Sequence, residues 1–379
     1  MKIRRLRGEG FRNLRELDFY PGEGVNIIHG ENVQGKTNLL EALWMFCGAR
    51  SFRYGKDSEL VRFGGEKLQL ELEFSSDGRE QSAAIEVSRE GKAAFLNEVR
   101  LEKMAELAGV FRAVVFTPDH LELIKQGPAQ RRKFIDQALV HVYPKYGEVL
   151  GGYERILRQR GALLSDPRVG RQLSASLDVW DEVMADYGSY LTWMRLRYIG
   201  KLVRYATEIY REISGGREQF SAEYACGSGK PGHEWDRKEI AAHYAKVLAR
   251  SREEDIRLRR TNKGPHRDDI EITLDGQSAR LYGSQGQQRS CVLALKFAEC
   301  RILEEIAGQP PVVLLDDVMS ELDESRRKFL LGHLSRNQVF ITCCNAEVVD
   351  CATAGGCRFE MVCGRLTMNN CGIAGGDGF

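Results

Sequence analysis

The octapeptide GENVQGKT, Gly30 to Thr37, constrains this chain more than any other stretch. An apolar run, Val25–Ile28, precedes it, and NLLEALWMF, which reads as a helix, follows it. A strand, a tight glycine loop and a helix in that order make an anion cradle. The glycines let backbone N–H groups turn inward, and the helix N-terminus adds partial positive charge. Lys36 supplies a point charge for β- and γ-phosphates, and Thr37 presents a hydroxyl to Mg²⁺. The expectation is a nucleoside triphosphate site built from Gly30, Glu31, Asn32, Val33, Gln34, Gly35, Lys36 and Thr37.

Such a cradle needs an acidic partner on a neighbouring strand, and PVVLLDD supplies one. Val312–Leu315 predicts a buried strand with Asp316 and Asp317 at its C-terminal edge, where open α/β sheets bind ligands. Asp316 is the expected Mg²⁺ ligand, and Asp317 is placed to orient or polarise a water at the γ-phosphate. The two halves of this site lie near opposite ends of the chain. The spacing therefore predicts an α/β domain made from residues 1–129 and 261–379, with an insertion between them.

The insertion, 130–260, changes character. Phe134, Ala138, Leu139, Val142 and Tyr146 recur at spacings of three and four, as do Trp180, Val183, Met184, Tyr187, Tyr190 and Leu191. That period predicts amphipathic helices, about four up to Ser214, with loops near Gly151–Gly152, at SDPRVG and at SGG, and a further helix over Arg237–Arg257. No heptad is sustained. Outside the insertion, Lys67–Phe74 alternates with period two, and SSDGRE reads as a hairpin turn. Ala113–Phe116 reads as a buried strand, IEITL and SARLYG as two strands about an Asp-Gly turn, Arg289–Ile306 as a helix, and QVFITCC as a strand. The tail CGIAGGDGF reads as frayed.

Of the 379 residues, 42% are hydrophobic and 29% charged, an ordinary globular composition. The net charge of +1 supplies no global field towards nucleic acid, so any such binding must come from local basic patches. The charged N-terminus shows no secretory signal and no apolar run reaches membrane-spanning length, so the expectation is a cytoplasmic protein with no membrane partner. Six of the ten cysteines fall in the last 37 residues, from Cys343 to Cys371, without metal-ligand spacing. Reduced, unremarkable thiols are the expectation there.

LYGSQGQQRS, Leu281–Ser290, holds hydrogen-bonding groups and no acid–base group that works near neutral pH. Taken with GENVQGKTNLLEALW, FTPDHLELIKQGPAQRRKFID, KGPHRDDI and LLDDVMSELD, in this order, it resembles the RecF family of bacterial DNA-repair ATPases, relatives of the SMC and ABC ATPases. The likeness runs from Phe11 to at least Asp323.

The resemblance implies a P-loop ABC/SMC-type head with an inserted helical arm. It implies a cytosolic protein that binds ATP with Mg²⁺, dimerises on ATP and binds DNA near single-strand/double-strand junctions. With RecO and RecR such proteins help place RecA on gapped DNA, in recombinational repair and the SOS response. Their hydrolysis is slow and DNA-stimulated. Residue by residue, Lys36 and Asp317 become the catalytic pair, Thr37 and Asp316 the metal ligands, and Ser320 and Asp323 the D-loop. Ser284, Gly286 and Gln287 become the signature that meets the other subunit's γ-phosphate. Arg12 is placed against the adenine or the α-phosphate.

This chain departs from related ATPases in four ways. Val33 stands where a small residue is usual, which narrows the loop's freedom and leaves its glycines intact. Asp317 stands where most ABC-type ATPases have glutamate, ITCCNAE lacks the γ-phosphate-sensing histidine, and either Gln126 or Asp119 could serve the Q-loop. Cationic clusters at Arg4–Arg5–Arg7, at Arg131, Arg132 and Lys133, and at Arg257, Arg259 and Arg260 are the DNA candidates, led by shape and charge rather than base sequence. A nucleotide-binding subunit of an ABC transporter is the second reading.

Overall fold

The computed structural model describes residues 1–48, 51–53, 59–166, 173–229, 235–345 and 356–371. It divides into two compact units, Met1–Glu122 with Val292–Phe379, and Leu123–Cys291. Among the described residues no helix is long and apolar enough to cross a membrane.

Among its described residues the first unit carries two six-stranded sheets. In one, Lys67–Ser76 pairs antiparallel with Lys2–Glu9 and with Arg79–Ser88 about the Asp77–Gly78 turn, and its burial alternates along the strand as the sequence period requires. The other has a parallel centre. Val25–His29 lies between Cys357–Val362 and Val339–Cys343, and Val312–Asp316 lies between Val339–Cys343 and Ala113–Phe116. Val312–Asp316, Val339–Cys343 and Ala113–Phe116 are buried at every position, which is why their sequences read as continuous apolar runs. The helix Lys36–Met45 follows the glycine loop and buries Leu39, Leu40, Leu43 and Met45 against this core.

Among its described residues the second unit holds the helices Pro128–Val142, Pro144–Ser165 and Leu173–Ser214, three up to Ser214 where about four were expected, then Arg237–Leu258. The expected loop at Gly151–Gly152 is instead the interior of Pro144–Ser165. Gly152 is there for close packing, because a Cβ would come within 2.3 Å of the Tyr187 ring. The helix Leu173–Ser214 runs unbroken to Gly215 and Gly216, which stop it with φ of 64° and 74°. The SDPRVG loop, past Asp166, and the CGIAGGDGF tail, past Cys371, lie outside the described residues.

Residues 261–291, expected with the ATPase halves, fall in the second unit. Their strand Asp269–Leu274 pairs with Phe220–Ala225, and Arg131 and Arg195 close ion pairs onto Asp269 and Asp268. The expected strand SARLYG shrinks to Gln277–Ser278 followed by the helical turn Ala279–Tyr282. Only Ala279 of that turn is buried, while Leu281 and Tyr282 are each 72% exposed, so no apolar face holds a strand there. The next helix begins at Gln285, four residues before the expected Arg289.

Candidate nucleotide site

The loop Gly30–Thr37 is closed on itself. Lys36 Nζ donates to the carbonyls of Gly30 (2.6 Å) and Glu31 (2.7 Å). Gly30 has φ of 147°, and a Cβ there would sit 2.5 Å from the Met361 carbonyl oxygen. Gly35 has φ of 117° and lies against Asn13. Only glycine suits either place. Neighbouring segments hold the loop from outside: Gly364 N–H donates to the Gln34 carbonyl (2.9 Å), Cys363 N–H to Gln34 Oε1 (2.6 Å) and Asn13 Nδ2 to the Val33 carbonyl (3.2 Å). Glu31, Asn32 and Val33 are exposed at the tip, and Val33 takes φ of 68°, a left-handed conformation that costs a β-branched residue energy.

The acidic strand meets this cradle. Thr37 Oγ1 donates to Asp316 Oδ1 at 2.8 Å, and so does Thr342 Oγ1, also at 2.8 Å. Burial pushes the Asp316 carboxyl above its ordinary value; the bonds from Thr342 and Thr37 and the charge of Arg53 oppose that shift, and Asp317 adds to it. Two hard oxygen donors this close, one of them a carboxylate, suit Mg²⁺. Asp317 takes φ of 52°, accepts no bond from Thr37, and receives Ser320 Oγ on its carbonyl (2.8 Å); its own N–H donates to Thr342 Oγ1 (3.0 Å). Asp323 caps the helix Glu324–His333 by accepting from Arg326 N–H at 3.0 Å. Burial works against its ionisation, yet the Arg326 and Ser325 bonds hold its carboxyl down at about 2.

These groups line a cleft of about 1440 Å³ that Lys36, Thr37, Asp316, Asp317 and Arg12 share. Arg12 does not point a free charge into it. Its guanidinium is bidentate on Glu41, which is fully buried (Nη2 to Oε1 2.7 Å). Sequence reasoning missed Glu41, Thr342 and Arg53. A signal existed for Glu41, a lone acid inside the apolar helix NLLEALWM, and for Thr342, a lone hydroxyl in an apolar strand. Arg53, which lines the cleft and donates to Asn38 (2.7 Å), carried none. Where a sensing histidine was sought, Cys344 stands 3.9 Å from Lys36 Nζ and donates to Asn32 Oδ1 (3.0 Å). Cys357 is disulfide-bonded, against the expectation of reduced thiols throughout.

In the second unit, Ser284 and Gln287 cap the helix Gln285–Ala307 reciprocally. Gln287 N–H donates to Ser284 Oγ (3.2 Å), and Ser284 N–H donates to Gln287 Oε1 (2.7 Å). Ser284 is exposed, and Gly286 follows in the first turn. Of the DNA candidates, Arg131 is buried and spent: it is bidentate on Asp269 (2.7 and 2.9 Å) and donates to the Gln126 carbonyl (2.6 Å). It is a structural arginine, and the reason is its position on the inner face of Pro128–Val142. Arg132 is half-buried and donates to the Asp268 carbonyl (2.6 Å), and burial lowers the Lys133 ammonium to about 8. Arg257, Arg259 and Arg260 are exposed. Near the N-terminus Arg4 pairs with Glu23 and Arg5 with Asp18, both at 2.7 Å.

A strand–glycine-loop–helix beside an acidic strand, on a parallel sheet assembled from both chain ends, defines the head fold of SMC-type ATPases. The family model "RecF/RecN/SMC N terminal domain" matches residues 2–360. An SMC head bound to the C-terminal winged-helix domain of ScpA shares this fold, at 16% identity and a TM-score of 0.55 over 99% of this chain and 98% of that one.

Within that class the chain belongs to the RecF family of DNA replication and repair proteins. It is 42% identical over 349 residues to the DNA replication and repair protein RecF of Heliobacterium modesticaldum, covering 90% of this chain and 92% of that one. RecF of Acetivibrio thermocellus is 38% identical, covering 92% and 95%. The solved recombination mediator RecF with ATPrS, from the RecFOR pathway, superposes with a TM-score of 0.90 at 34% identity and 97% coverage of each chain; the ATP complex gives 0.86.

Proposed function

We propose that this protein is an ATP-gated dimeric clamp on gapped or junction DNA that works with RecO and RecR to promote RecA loading and the SOS response. The observation that carries the nucleotide half is the 2.8 Å contact of Thr37 with Asp316 beside a loop already closed by Lys36. ATP is the nucleotide, as in the RecF–ATP complex that this chain resembles. Thr37 and Asp316 would hold Mg²⁺, which would supply charge neutralisation at the phosphates. Lys36 binds the β- and γ-phosphates, and Asp317 orients the attacking water and takes its proton. A carboxylate one methylene shorter than glutamate reaches less far, which suits a slow, DNA-stimulated switch.

The exposed, capped Ser284 with Gly286 and Gln287 offers hydrogen bonds and a helix N-terminus to the γ-phosphate held by a second copy. A C2 pair then encloses two nucleotides, each covered by Gly30–Thr37 of one protomer and the Ser284 turn of the other, and the shared ligand stabilises the dimer by mass action. Ser320 and Asp323 lie in the loop after Asp317 and face that interface. The α/β unit is the head, the helical unit the arm, and the exposed Arg257, Arg259 and Arg260 contact DNA phosphates.

Light scattering with and without Mg-ATP tests this. Wild type is monomeric without nucleotide and dimeric with it, Asp317→Asn stays dimeric, and Lys36→Ala and Ser284→Arg remain monomeric. Wild-type-like dimerisation of Ser284→Arg would sink the shared site. No salt-dependent affinity for a gapped duplex would sink the DNA role.

A further inference from the structure

The phosphate-binding groups leave one wall of the cleft unexplained. Phe63 is fully exposed, at 104%, and lines the cleft together with Val61, Arg62 and two glycines. A phenyl ring without apolar cover is ordinary on a loose loop, but this loop is fastened. Gly65 N–H closes the turn onto the Arg62 carbonyl (2.8 Å), Arg62 N–H donates to the Gly10 carbonyl (2.7 Å), and Arg12 N–H donates to the Leu60 carbonyl (2.8 Å). The Arg62 guanidinium also donates to the Leu14 carbonyl. The turn is thus stitched to the same Gly10–Leu14 segment whose Asn13 holds the phosphate loop.

Resting on the triphosphate reading above, we propose that Phe63 is the stacking face for the base of the bound nucleotide. The phosphates belong at the Lys36–Thr37–Asp316 end, where the cation and metal ligands are. The base, flat and uncharged, extends from there along the cleft, and Phe63 is the aromatic among its described lining residues. Arg12, at the same end as Phe63, is neutralised by Glu41 and donates to the Glu59 carbonyl (3.4 Å), so that region suits a ring better than another phosphate. A ring stacked on phenyl is read by its π-face and not by its edge. Phe63 therefore confers affinity for nucleotides over bare polyphosphate, with purines favoured over pyrimidines for their larger overlap and with little choice between adenine and guanine.

Calorimetric titration of ATP, GTP, CTP and inorganic tripolyphosphate, each with Mg²⁺, into wild type, Phe63→Ala and Phe63→Trp tests the assignment. Phe63→Ala is expected to weaken ATP and GTP by about 5- to 150-fold, the range of an alanine substitution under a stacked base, and to leave tripolyphosphate unchanged. Phe63→Trp is expected to keep ATP affinity and to show emission quenched by ATP but not by tripolyphosphate. Unchanged ATP affinity in Phe63→Ala, or an equal loss for tripolyphosphate, overturns the stacking role while leaving the phosphate site standing. Wild type that binds neither ATP nor tripolyphosphate overturns the nucleotide reading itself.

Discussion

Thr37 and Asp316, 279 positions apart in the chain, are joined by a 2.8 Å hydrogen bond from hydroxyl to carboxylate. The bond forms because the strands Val25–His29 and Val312–Asp316 flank Val339–Cys343 in one parallel sheet, so their C-terminal ends come to the same edge. Thr342, at that edge of the middle strand, donates to the same carboxylate oxygen.

The raised Asp316 carboxyl makes a pH prediction. The folded state holds a proton that the unfolded chain has already lost at its ordinary value of 3.8. This group's contribution is therefore fully present below 3.8 and declines as pH rises through the raised folded value. Asp316→Asn keeps an acceptor for both threonines and cannot ionise. Its melting temperature without nucleotide should exceed wild type's near neutral pH and depend less on pH in that window, while the shift produced by Mg-ATP disappears. Thermal melts from about pH 3.5 to 8, with and without Mg-ATP, check both arms.

Val33 sits at φ of 68° with its side chain 94% exposed, so strain there is offset by no burial. Val33→Asn, with a residue that visits the left-handed region readily, should raise unfolding stability by about 1 kcal/mol in urea titrations. A loss of stability instead would mean that valine is held there by contacts in the free protein.

Buried charge holds the arm together. Arg195 Nη1 lies 2.9 Å from Asp268 Oδ2 and Nη2 lies 2.9 Å from Asp136 Oδ2, while Tyr224 and Gly227 N–H also donate to Asp268. Asp268→Ala leaves the buried guanidinium short of a counter-charge and should cost about 3–5 kcal/mol. Circular dichroism melts should show helical signal lost at lower temperature.

The arginines separate by exposure. Replacing exposed Arg257, Arg259 and Arg260 together with glutamate should weaken DNA binding at every sequence. It should also reduce the slope of log affinity against log salt by roughly 3, about 0.9 for each phosphate no longer neutralised. Arg131→Ala should instead lower the melting temperature, because Asp269 loses its bidentate partner. An unchanged salt slope in the triple variant would place the DNA path elsewhere.

Cys344 reports on the phosphate loop because its thiol is 3.9 Å from Lys36 Nζ. In a Cys363→Ser background, alkylating Cys344 should lower ATP affinity at least about tenfold by crowding the lysine. Bound ATP should in turn slow the alkylation, as followed by mass spectrometry. ATP affinity unaffected by complete modification would remove Cys344 from the site.

Much of the head was legible in sequence because its signals are local. A buried parallel strand writes itself as an unbroken apolar run, and so Val25–His29, Ala113–Phe116, Val312–Asp316 and Val339–Cys343 fell where the runs lay. A glycine loop between strand and helix carries its own geometry. Local signals failed where a distant contact made the decision. Gly151–Gly152 read as a loop because glycine breaks isolated helices, yet Gly152 stays helical where Tyr187 presses against it. Leu281 and Tyr282 read as strand residues by type, yet nothing covers them.

The sequence by itself therefore determined the phosphate loop, the acidic strand and the family. Each rests on residues near one another in the chain or on a pattern of burial with a fixed period. Tertiary structure alone decided which charges are free. Arg131 and Arg257 look alike in sequence, but one is enclosed by Asp269 and backbone carbonyls, while the other faces solvent with only a 3.9 Å exposed contact to Glu254. Arg12, expected from sequence against the adenine or the α-phosphate, is paired with Glu41 from another element. A side chain's charge is written in its residue type; whether that charge is available depends on what the fold brings within about 3 Å of it.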